Sequence, residues 1–191
     1  MVNENLKRSQ SMKGSRLLLL IVAICACRRF TDRTPTDEEL LARFRAHKTE
    51  LNQLVRMFQA DKGLERVGES FTRPDDPSEA NVPSQRIEEY RRLCASLGAP
   101  KCIEGIDAAF YRTLRDGGAP PNAPEVKNEI FVCVYGWGWA ASGGAKGYLF
   151  STAPTFEIVP ALDHMLVTGK QSKTWIRHIE DAWYIYYTIV P

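Results

Sequence analysis

Histidine and cysteine are scarce in this 191-residue chain, three of one and five of the other, and no Cys-x-x-Cys pair occurs. Without that spacing a structural zinc site has no framework. Long apolar runs are missing as well. The longest, Leu17 to Ala26, holds ten residues, whereas a helix crossing a bilayer core needs about 20. Charge of one sign is not in excess. The chain carries +2 overall, and four basic residues against Glu4 place +3 on residues 1–26, leaving −1 for the rest. A body so near neutrality lacks the basic stripe that binds nucleic acid through counterion release, which excludes that partner. No period of about 20–50 residues recurs, so a solenoid is excluded.

Catalytic motifs are wanting too. Gly143-Gly144-Ala145-Lys146-Gly147 fails as a phosphate loop, because Ala145 stands where the glycine before the lysine is required and Gly147 where a Ser or Thr would hold magnesium. Ser142 lies in no nucleophile elbow. Asp75-Asp76 and Glu88-Glu89 are adjacent acids that diverge, not a pair facing across a cleft. No cofactor and no metal is expected, and the body reads as more a binder than an enzyme.

What is present begins with the apolar run. Behind Lys7, Arg8, Lys13 and Arg16 it has the length of a signal-peptide core. Ile24-Cys25-Ala26-Cys27 then resembles the lipobox of bacterial lipoproteins: an aliphatic residue, a tolerated one, a small one and a cysteine. That resemblance implies cleavage after Ala26, acylation of Cys27 and a lipid anchor. It implies an envelope address as well, with the outer membrane favoured because no Asp follows Cys27, and the body facing the periplasm. Met12 is an alternative start. The expected organisation is a signal peptide over 1–26, a tether over 27–36 and one domain over 37–191.

Within the domain, Thr36-Asp37-Glu38-Glu39 is a capping box. Leu40, Phe44, His47, Leu51, Leu54 and Phe58 follow at helical spacing, predicting a helix over 37–62 closed by a left-handed Gly63. A second helix is predicted over 84–97, with Ile87, Tyr90, Leu93, Cys94 and Leu97 inward and Gly98 and Pro100 ending it. Residues 64–71 suit a short strand, and 117–124 a Gly/Pro-rich loop. Of 19 aromatic residues, 12 lie from position 129 onward, which favours strands. Strict alternation places Phe131, Cys133, Tyr135, Trp137 and Trp139 on one face and Ile130, Val132 and Val134 on the other. Ser142-Gly143-Gly144 turns this strand back, a short helical piece is expected over 161–166, and 174–180 with 183–190 forms a second hairpin. The fold expected is α+β, two N-terminal helices packed on a C-terminal antiparallel sheet of two or more hairpins. The body resembles small uncharacterised bacterial proteins that pair an early amphipathic helix with an aromatic sheet. That resemblance implies the fold and brings no activity.

Three groups of residues are candidates for function. Tyr135, Trp137, Trp139, Trp183, Tyr184, Tyr186 and Tyr187 could line a face that stacks on a glycan or an envelope protein, or could simply fill the core. Cys94 and Cys102 flank the turn after the second helix and could form a disulfide in an oxidising compartment or remain two small buried thiols. His178 and Glu180, two apart on a strand, would share a face and could serve a cell-envelope hydrolase, with Asp163 and His164 the nearest further ligands for a metal. The leading reading is a non-enzymatic, membrane-anchored binding module. The alternatives are that hydrolase and a toxin-immunity-type inhibitor.

Overall fold

A computed structural model describes residues 33–99, 102–106, 129–139, 142–165 and 172–190. The chain divides into two units between Thr34 and Pro35, and every element below belongs to the second. Cys27 and the loop expected over 117–124 lie outside the described residues. Helix α1 spans Asp37–Ala60. At its start the Thr36 hydroxyl accepts from the Glu39 amide at 3.2 Å, and the Glu39 carboxylate accepts from the Thr36 amide at 2.8 Å, so two otherwise orphaned donors are satisfied. Leu40, Phe44, Leu51, Leu54 and Phe58 are buried along its inner face. His47 breaks the helical dihedrals and stays half-exposed instead of joining that stripe. Gly63 is not the left-handed cap. The helix stops at Asp61, and Gly63 is small because an added Cβ would lie 3.0 Å from Ala80.

Helix α2 spans Ser84–Ser96 and ends as expected on Gly98, whose φ of +60° suits glycine. Among the described residues the other elements are a short 3-10 helix (Pro77–Ala80) and strands β1 (Arg66–Val67), β2 (Thr72–Arg73), β3 (Cys102–Ile106), β4 (Glu129–Trp139), β5 (Ser142–Ser151), β6 (Glu157–Ile158), β7 (Lys173–Glu180) and β8 (Trp183–Val190). The strands make one eight-stranded sheet in the order β2-β1-β3-β4-β5-β8-β7-β6. All pairings are antiparallel except β6 with β7. The α+β class stands. Residues 161–165 are turn and coil, not helix, and Gly143 and Gly144 lie inside β5 instead of turning the chain.

The register corrects the expected faces. Cys133 pairs with Gly147 but Tyr135 with Lys146, so Val134 is one extra residue on β4. Such a bulge moves everything beyond it to the opposite face. Tyr135 and Trp137 therefore join the face of Ile130 and Val132, not that of Phe131. A second bulge intervenes between His178, which pairs with Tyr184, and Glu180, which pairs with Trp183.

Helix α1 covers part of the first face. Phe44 meets Tyr148 and Trp183 with ring centroids 6.0 and 5.6 Å apart, and the Tyr148 hydroxyl donates to Leu40 O at 2.9 Å. Burial pushes that phenol's pKa well above its ordinary value. Phe131, Leu149, Ile176, Tyr184 and Tyr186 form a smaller apolar layer on the other face.

Candidate functional site

The two bulges break up the candidates. His178 is exposed, its ring 5.1 Å from Tyr184 on the face away from α1, with Nε2 3.2 Å from Asp181 O. Glu180 turns to the other face and pairs with Lys48 of α1. The two residues expected to share a face do not. Among the described residues no three of His, Cys, Asp or Glu gather as a metal would require. Cys94 and Cys102 are joined as a disulfide with Cα atoms 5.3 Å apart, tying α2 to β3.

The seven aromatic candidates also separate. Trp183 is 1% exposed, wedged edge-on against Phe44 and Phe150, and its indole N–H donates to Asn52 Oδ1 at 3.0 Å. It is core, out of reach of a ligand. Tyr184 and Tyr186 point to the opposite layer. Trp139 holds the register position opposite Ser142. Tyr135, Trp137 and Tyr187 remain together, half-buried, and Trp175, only 3% exposed, packs against Tyr187. Tyr135 to Trp137 is 5.7 Å between centroids, Trp137 to Tyr187 is 5.8 Å and Tyr187 to Trp175 is 6.5 Å; the last two pairs lie within 27° and 22° of parallel. These rings stand side by side across strands β4, β8 and β7, with β5 running between the first two. Gly144 makes the row possible, since a Cβ there would come within 2.2 Å of the Trp137 ring. Lys173 flanks it, with Nζ 5.0 Å from the Trp175 centroid and 3.0 Å from Glu157. Burial, and then the neighbouring Tyr135, raise the Tyr187 phenol above its ordinary range.

Next to the row lies a charged cluster that sequence reasoning missed. Lys146, on β5 opposite Tyr187, is 1% exposed and Asp37 is fully buried. Lys146 Nζ sits 2.8 Å from Asp37 Oδ1, which has no hydrogen-bond donor in line, and donates to Asp163 Oδ1 at 2.7 Å. The Asp37 amide donates to the same Asp163 oxygen at 2.8 Å. Asp37 Oδ2 accepts from the Leu162 amide at 2.8 Å and from Arg177 Nη1 at 3.1 Å, and Arg177 Nη2 reaches Glu38 at 3.4 Å. Burial opposes ionisation of Asp163, but the hydrogen bonds from Lys146 and the Asp37 amide outweigh it and hold the carboxyl below the usual carboxylate range.

A lysine sealed in this way cannot reach a substrate. The cluster instead fixes the first turn of α1, the 161–165 segment and the sheet to one another. A lysine alternating with Gly144 and Tyr148 on an inward-facing strand was its sequence signal, since a buried cation needs a buried acid. No family model, curated protein or solved structure matches this chain.

Proposed function

We propose that the chain is an envelope lipoprotein, acylated at Cys27 and held at the outer membrane facing the periplasm. Its body, two N-terminal helices on a sheet of two or more hairpins, is a non-enzymatic interaction module. Tyr135, Trp137 and Tyr187, packed against the buried Trp175, are the binding face. The observation that carries this reading is the position of the row: three half-buried rings, Tyr135, Trp137 and Tyr187, gathered on one face beside the cluster where the chain enters the body. The hydrolase alternative is disfavoured, because His178 and Glu180 stand on opposite faces of the sheet.

Two experiments test it. In cell fractionation the wild type is expected with the membranes and Cys27→Ser in the soluble fraction; soluble behaviour of both would overturn the anchor. A photoreactive phenylalanine analogue at Trp137 is expected to crosslink to an envelope component, protein, glycan or lipid. The same analogue at His178 should not, and equal labelling from both positions would contradict a binding face at the row.

A further inference from the structure

We infer that the occupant of the ring row is the lipid surface itself, so that the body lies on the membrane that anchors it. This inference rests on the lipoprotein reading above. Three observations carry it.

Stacking is the first. Trp137, Tyr187 and Trp175 present their flat faces to each other, so the faces a sugar ring would need are largely taken. Tyr135, Trp137 and Tyr187 stay partly exposed, apolar ring bodies that carry N–H and O–H groups, while Trp175 is buried against Tyr187. Side chains of that kind partition to the boundary between hydrocarbon and water.

Chain entry is the second. Asp37, the first residue of α1, is ion-paired with Lys146, and Lys146 lies opposite Tyr135 on one side and Tyr187 on the other. The chain therefore joins the body at the row. Nine residues lie between Cys27 and Asp37, ten steps along the chain that span about 35 Å when fully stretched and roughly 17 Å when relaxed. A Cys27 inserted in the bilayer thus keeps this end of the body near the headgroups.

The rim of the row is the third. Ile189, on the same face of β8 as Tyr187, is half-buried. Opposite Ile189, Lys173 has a side chain 51% exposed, able to lay its stem over Trp175 while its ammonium stays in water. Glu157 neutralises that ammonium and Glu38 lies near Arg177, so the contact is one of aromatic partition and is expected to survive high salt.

The test uses the full-length lipidated chain in vesicles of phosphatidylethanolamine and phosphatidylglycerol brominated near the headgroup end of the acyl chains. Flotation scores the anchor, and bromine quenching of tryptophan scores the face. The expected result is a floating chain with quenched emission at low and high salt. Trp137→Phe should lose most of that quenching, and Trp183→Phe, which removes a core indole, should retain it. A chain that floats without quenching, or whose quenching ignores Trp137→Phe, overturns the membrane face while the anchor stands. A chain that fails to float overturns both.

Discussion

Lys146 is an ammonium that folding removes almost entirely from water. Its position is tenable because Asp37 and Asp163 converge on it from two segments far apart in sequence. Removing one partner of a buried pair leaves the other uncompensated, which typically costs about 3–5 kcal/mol. Lys146→Met is therefore expected to destabilise the body by about that amount in urea titration, and a near-neutral change would contradict the role given to the cluster. Asp163 supplies a pH dependence whose sign is fixed. Its carboxyl titrates lower in the folded chain than in the unfolded one. Its contribution is thus complete above the ordinary carboxylate pKa of about 4 and disappears as pH falls through the depressed folded value. Asp163→Asn should lower the urea midpoint at neutral pH and flatten its fall on acidification. An acid limb as steep as the wild type's would place the responsible group elsewhere.

Elements repeat the lesson with backbone in place of charge. Strands β4 and β5 approach so closely at Gly147 that an added Cβ would lie 2.1 Å from Val132 O, a backbone atom that cannot swing aside. Gly147→Ala is expected to cost at least the 1–3 kcal/mol typical of overpacking, read from thermal or urea unfolding. The Cys94–Cys102 bridge closes a short loop between α2 and β3. By chain entropy its removal should cost about 2–3 kcal/mol, and Cys94→Ala should match the wild type measured in reductant. A mismatch would mean that the substitution disturbs packing beyond the bridge.

The elements were also the most legible part of the sequence. The capping box and apolar spacing of α1, the Gly98 stop of α2 and the β7–β8 hairpin are all local signals, and each is found close to where the sequence placed it. Faces were not legible, because Val134 and Ile179 look like ordinary strand residues and only pairing reveals them as the extra residues of bulges. The first of these bulges moved Tyr135 and Trp137 to the helix side, and the second parted His178 from Glu180. Trp175 and Lys146 were missed for a related reason: their partners come from other strands and from α1, at separations that spacing along the chain does not encode.

At the scale of the whole molecule, the body is an eight-stranded sheet whose first face is divided between α1 and the ring row, with the ion cluster at the junction. The first turn of α1 thus has two tasks, closing the core and locating the point where the chain arrives. In the proposed anchored state that arrangement sets the half-buried rings toward the lipid and leaves His178 on the far face. The lipid anchor itself is the claim on which the functional account depends. It is tested most directly by the intact mass of the mature protein extracted from membranes. The account predicts a chain beginning at Cys27 and bearing a thioether-linked diacylglyceryl group; an unmodified chain beginning at Met1 or Met12 would contradict it.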